Sequence, residues 1–175
     1  MGLDKIRQEI DQIDTQMKEL FLARMELSHQ VVEEKKKTGG SIYVPAREAE
    51  IIQRRSEGVE EEKLPEYQML IKQIMGISRT YQYSQIADGA EELANLPTGE
   101  GTVTVEVFEK KGEVRLVTML DAIVLAGLSI EQLSETDKTE NGVTYQLTVA
   151  GDFSKSLAKG AMLQICSEME SVRFA

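Results

Sequence analysis

From Leu3 to Thr38 the chain contains neither glycine nor proline. Apolar residues recur there at Leu3, Ile6, Ile10, Ile13, Met17, Leu20, Leu27 and Val31, mostly in steps of three or four. That period predicts an amphipathic α-helix with a coiled-coil-like seam. The TGG at 38–40 stops it, because glycine takes the left-handed conformation that closes helices. Such a helix is roughly 50 Å long at 1.5 Å per residue, whereas a compact domain of about 90 residues has a radius of gyration near 12 Å. Its own short chain cannot cover that seam, so a second copy is expected to do so in a homodimer.

Two further helices follow. Pro45 opens one that runs to about Glu57 and ends at Gly58; the next starts near Pro65 and continues past Gln82. Its apolar stripe is Tyr67, Leu70, Ile71, Ile74, Met75, Ser78 and Tyr81. The composition then changes: DGAEELANLPTGEG, 88–101, is rich in glycine and reads as a linker. Beyond it the hydrophobic period switches from 3.6 to 2. TVTVEVF (102–108) and VTYQLTV (143–149) alternate as half-buried strands, and SIEQLSE and the terminal SVRFA read as two more. TMLDAIVLAG (118–127) and SKSLAKGAMLQICSEM (154–169) read as helices. The order β-α-β-β-α-β is the ferredoxin-like α+β arrangement. EVRLV (113–117) is ambiguous, since it can start a helix or pair back on 102–108 as a hairpin. The expected division is a helical domain over 1–88, a linker over 89–101 and an α/β domain over 102–175.

A net charge of -10 on 175 residues leaves no electrostatic footprint for nucleic acid. No run approaches the ~18 apolar residues of a membrane span. The N-terminal MGLDKIRQEID is charged from its fourth residue and lacks an apolar leader core. The sole cysteine, Cys166, fits a reducing compartment, and a cytoplasmic protein is expected.

Three polar residues interrupt the apolar faces: Arg24 on the first helix, Ser78 and Gln82 on the third. A buried arginine is costly without an anionic partner. Lys35 lies eleven residues beyond Arg24. That returns it to within about 20° of the same face, roughly 16 Å away, so the two cations can grip one small molecule. Arg7 is about 25 Å from Arg24 along the axis and on another side. The two can share a ligand only across an antiparallel dimer. Arg47 and Glu48 follow Pro45 within the first turn, where a cation is unfavourable against the helix dipole unless an anion joins it.

LDKIRQEIDQIDTQMKELFLARMELSHQVVEEKK, IYVPAREAEII and IMGISRTYQ together closely resemble the all-α class of chorismate mutases over about residues 3–87. The resemblance implies an intertwined dimer of three-helix subunits. It also implies rearrangement of chorismate to prephenate without cofactor, metal or covalent intermediate. By the same resemblance Arg7 of the partner subunit, Arg24 and Arg47 would bind the substrate carboxylates. Lys35 and Gln82 would donate to the ether oxygen, Glu48 would accept from the ring hydroxyl, and Ser78 would contact the ligand near a carboxylate. The chemistry suits these residue types. A dicarboxylate matches the permanently charged fork of arginine, and a pericyclic step needs preorganised electrostatics rather than a base.

One departure stands out. The family usually carries an acidic residue where this chain has Val44, which can neither cap the helix nor accept a hydroxyl. Recognition at that substituent then falls to Glu48. The other readings are plain ones. Lys36 and Lys37 complement a helix C-terminus; Arg54, Arg55 and Arg79 are solvated surface charges; His29 and Cys166 are structural; the methionines are packing.

The C-terminal element order resembles ACT domains, which implies an aromatic amino-acid effector. Gly112 and AGLSI (126–130) echo the ACT loop and second strand, while the usual Asp-x-Pro-Gly opening is missing. A module that only promotes assembly fits the same order. Two other functions stay open: a mutase or lyase acting on aminodeoxychorismate or isochorismate, and a non-catalytic helical dimer that senses a ligand.

Overall fold

The computed structural model describes residues 2–174. The chain divides into two compact units, Met1–Gly40 and Ser41–Ala175.

The first unit is a single helix, α1 (Leu3–Thr38). Its 36 residues extend about 54 Å. It ends where the TGG predicts. Gly39 sits at φ 69°, and its N–H donates to the Lys35 carbonyl at 2.8 Å. The seam residues Leu3, Ile6, Ile10, Ile13, Met17, Leu20, Leu27 and Val31 are all exposed on the single chain.

The second unit begins with α2 (Pro45–Ser56) and α3 (Leu64–Ser84). It continues as β1 (Glu100–Lys110), α4 (Arg115–Leu125), β2 (Ser129–Lys138), β3 (Gly142–Asp152), α5 (Ser156–Glu168) and β4 (Val172–Phe174). The strands form one antiparallel sheet in the order β2-β3-β1-β4. This is the ferredoxin-like α+β arrangement that the alternation predicts.

Alternation sets the core. Val103, Val105 and Val107 of β1 face the same way as Leu147 and Val149 of β3, with Val105 paired to Leu147. Met119, Ala122 and Ile123 of α4 and Ala158, Ala161, Met162 and Ile165 of α5 cover that face.

The stretch that reads as a linker is structured. It holds a 3-10 turn at Glu91–Leu93, and Leu93 and Leu96 pack on the sheet core.

Residues 113–117 start a helix rather than a hairpin. The Glu109 carboxylate at the end of β1 accepts from the backbone N–H groups of Arg115 (2.7 Å) and Leu116 (2.6 Å). These are donors that a helix start leaves unpaired, and β1 pairs with β3 and β4 instead.

Helix α5 is buried on two sides, which explains its weak amphipathic pattern. One side meets the sheet; the other meets α3. Thr80 on α3 donates its hydroxyl to Gln164 Oε1 on α5 at 2.6 Å, and both residues are buried. Cys166 is half-buried and has no catalytic setting: burial pushes its thiol up to about 11, and a raised thiol is a poor nucleophile.

Candidate active site

The start of α2 is built as the sequence suggests. Val44 precedes the helix in extended conformation and offers no side-chain cap. Pro45 occupies the first turn, where its missing N–H costs nothing. Arg47 points outward from that turn and is exposed. Glu48 is half-buried, and its backbone N–H closes the first turn onto the Val44 carbonyl at 3.1 Å.

The Glu48 side chain leads to a residue that sequence reasoning misplaced. Arg79 is not a surface charge. It is 7% exposed and lies within an ionic cluster. Its Nη1 donates to both carboxylate oxygens of Glu48 at 2.6 Å, and its Nε donates to Glu168 Oε1 at 2.8 Å. The Tyr43 ring covers one face of the guanidinium, 4.9 Å from centroid to Cζ. Burial opposes the Arg79 charge, but the Glu168 and Glu48 carboxylates outweigh it and hold the group above its ordinary range. Burial pushes the Glu168 carboxyl up, and Arg79 counters that in part. Burial likewise raises the Tyr43 hydroxyl.

The signal for Arg79 was present. Ile71, Met75, Arg79 and Tyr83 are spaced four apart on α3, and all four are buried. An arginine inside an i, i+4 apolar row is the same interruption that marks Arg24 on α1.

Ser78 and Gln82 occupy the neighbouring side of α3, one turn apart. Ser78 is buried and donates to the Ile74 carbonyl at 3.0 Å. Gln82 is 8% exposed, and its Oε1 is buried with no hydrogen-bond partner among the described residues. A buried amide left unpaired costs about 1–3 kcal/mol. The cost is justified where a ligand supplies the missing bond.

On α1, Arg7 is exposed and lies 3.7 Å from Asp4 Oδ1. Arg24 and Lys35 are half-buried, and the Arg24 carbonyl accepts from the Ser28 hydroxyl at 3.1 Å. Lys36 and Lys37 are surface charges paired with Glu33 (2.7 Å) and Glu34 (3.5 Å). Arg54 and Arg55 are exposed, as expected, and His29 is half-buried.

A long helix with spaced cations, an arginine at a proline-started helix and a buried Ser-x-x-x-Gln pair thus stand on three consecutive helices. Residues 6–83 match the family model described as chorismate mutase type II. Over these residues the chain is similar to the type II chorismate mutases.

No curated protein matches the chain. The matched span begins in α1 and ends one residue short of the end of α3, so the likeness to the type II chorismate mutases is confined to the three N-terminal helices. The family is one of isomerases. The α+β layer that follows lies outside the match. Among the described residues no helix is long and apolar enough to cross a membrane.

Proposed function

We propose that the protein is a chorismate mutase that converts chorismate to prephenate for aromatic amino-acid synthesis in the cytoplasm, working as a homodimer. The carbon–oxygen bond of the enolpyruvyl ether breaks while a carbon–carbon bond forms to the ring. Six electrons move within one cyclic transition state, and no proton is transferred. The protein's task is therefore to hold a compact conformer and to stabilise charge on the departing ether oxygen.

In this reading Arg24, Arg47 and Arg7 of the partner subunit pair with the two carboxylates. Lys35 and Gln82 donate to the ether oxygen, Glu48 accepts from the ring hydroxyl, and Ser78 contacts the ligand near a carboxylate. The observation that carries the reading is the family match over residues 6–83, which includes every one of these positions. The unpartnered Gln82 oxygen adds to it. A side-chain amide can present either end to a ligand, so the same buried group can turn its N–H toward the ether. The exposed apolar seam of α1 supports the dimer, since a stripe this long on a lone chain is an interface without its partner.

Residues 1–88 then carry catalysis, and residues 102–175, joined through 89–101, carry a regulatory or assembly role, with an aromatic amino acid as the candidate effector. The deciding experiment follows the loss of chorismate absorbance with and without phenylalanine or tyrosine. Turnover that either amino acid changes supports both parts of the reading. Unchanged turnover leaves the assembly role, and absence of turnover overturns the mutase.

A second reading rests on Val44. With no acidic side chain before Pro45, a substrate with a different ring substituent, such as aminodeoxychorismate or isochorismate, becomes a competitor. Parallel assays of the three compounds decide between them.

A further inference from the structure

Glu48 and Glu168 lie 120 positions apart in the chain, and both close on Arg79. Glu48 belongs to α2, within the segment that is similar to the chorismate mutases. Glu168 is the last residue of α5, in the layer outside it. The side chains of Arg79 and Glu168 are 8% and 9% exposed, that of Glu48 22%. The cluster is therefore deep at Glu168 and opens toward solvent at Glu48.

The placement of Glu168 has no local benefit. A carboxylate at a helix C-terminus faces the negative end of the dipole, and burial adds to that cost. The end of α5 is nonetheless fixed on a second side, because Arg115 Nη1 donates to the Glu168 backbone carbonyl at 2.7 Å. Arg79 is thus held at Nε by an anchored carboxylate and on its face by Tyr43, and its Nη1 is aimed at Glu48.

We propose that Arg79 is a positioning residue for Glu48, and that Glu168 is the second anchor that makes it one, so that the α+β layer supplies part of the working site. The proposal rests on the reading of Glu48 as the acceptor for the substrate's ring hydroxyl. A carboxyl accepts most strongly when ionised, and it must keep a lone pair free. A carboxylate has about four lone-pair directions, and Arg79 approaches from one side. Because Val44 offers no acceptor of its own, the direction of the remaining lone pairs on Glu48 sets how the hydroxyl is held. Without Glu168 the guanidinium has one carboxylate instead of two and can swing after Glu48, drawing the acceptor out of line. A buried triad of this kind gains little stability over apolar packing, and its value lies in fixed geometry.

The test uses the full chain and measures kcat and KM for chorismate. Glu168→Gln keeps volume and a polar end but removes the charge that anchors Arg79. It should lower kcat/KM about tenfold, the scale of one hydrogen bond, chiefly through KM, since the hydroxyl contact exists in substrate and transition state alike. Glu48→Gln should lose at least as much. The double variant should be no worse than Glu48→Gln alone, because Glu168 acts only through Glu48. Arg79→Lys, which keeps the charge but loses the fork, should repeat the loss if Glu168→Gln is poorly folded. Lys159→Ala removes an exposed ion pair between α5 and Asp88, and it should leave turnover within about twofold of the wild-type rate, on the usual scale for surface pairs.

Losses that multiply in the double variant show that Glu168 acts by general packing and overturn the proposal. So does a Glu168→Gln enzyme within about twofold of wild type, a change smaller than one hydrogen bond. If the wild type turns over but Glu48→Gln does not differ from it, the role of Glu48 is wrong and the mutase stands. A wild-type chain that leaves chorismate untouched overturns the function itself, and this proposal with it.

Discussion

Gly160 of α5 lies backbone to backbone against Ser84 of α3. A Cβ added at Gly160 would fall 2.6 Å from the Ser84 nitrogen, Cα and Cβ. The atoms in the way are main chain and Cβ, which cannot swing aside. Alanine ordinarily gains about 1 kcal/mol over glycine inside a helix, but overpacking a rigid contact costs about 1–3 kcal/mol. The clash should win. Gly160→Ala is expected to lower the urea midpoint of the whole chain, and an unchanged or raised midpoint would show that α3 and α5 separate freely.

The shared site can be tested by mixing. Arg7→Ala and Arg24→Ala chains should each be nearly inactive alone. Refolded together in equal amounts, half of the dimers are mixed, and each mixed dimer holds one site with both arginines intact. Activity should return to about a quarter of the wild-type level, given that the subunits exchange and form closed two-fold dimers. No recovery in confirmed mixed dimers would mean that each chain builds its site alone.

Gln82 is proposed to donate to an oxygen that gains negative charge. Glutamate is nearly isosteric there but donates only when protonated. Gln82→Glu should therefore be poor at neutral pH and recover as pH falls, while the wild type shows no such dependence. The comparison is kcat/KM from about pH 4 to 8, the range that brackets a buried carboxyl, with folding followed by circular dichroism. Parallel profiles would leave Lys35 as the only donor to the ether oxygen.

Glu168 makes folding stability depend on pH in a direction opposite to an ordinary ion-paired acid. Burial raises its carboxyl above the usual 4.5 despite Arg79. Between the unfolded and folded values the native chain holds the extra proton, so stability falls as pH rises through that window. The contribution is fully present below the unfolded value and lost above the folded one. Urea unfolding of wild type and Glu168→Gln across pH 4 to 7.5 should show the wild type losing ground to the variant as pH rises. A difference that does not vary with pH would place the Glu168 carboxyl at its ordinary value.

Much of the fold was legible because it is written in short-range periods. Steps of three and four marked α1 and α3, Pro45 and Gly58 bounded α2, the glycine at 39 ended α1, and strict alternation marked β1 and β3 within a few residues of their ends. The polar breaks at Arg24, Ser78 and Gln82 were visible for the same reason, as was the bare start of α2 at Val44. Periodicity also set a limit. The length of α1 and the apolar seam along it are local properties, and they called for a second copy before any tertiary contact was known.

The tertiary structure decided what depends on distant residues. EVRLV is chemically as much a strand as a helix, and it became the start of α4 because Glu109 of β1 satisfies its first N–H groups. The C-terminal part of α3 is buried beyond its apolar stripe because α5, whose small residues permit a close approach, covers a further side. Arg79 has the same origin. On α3 alone it is one more arginine, and its charge is compensated in a buried position because Glu168 arrives from 89 residues away to join Glu48. A sequence period reports the face a helix turns to its nearest apolar neighbour. Whether another element covers the opposite face, and with which charge, is settled by the path of the chain in three dimensions.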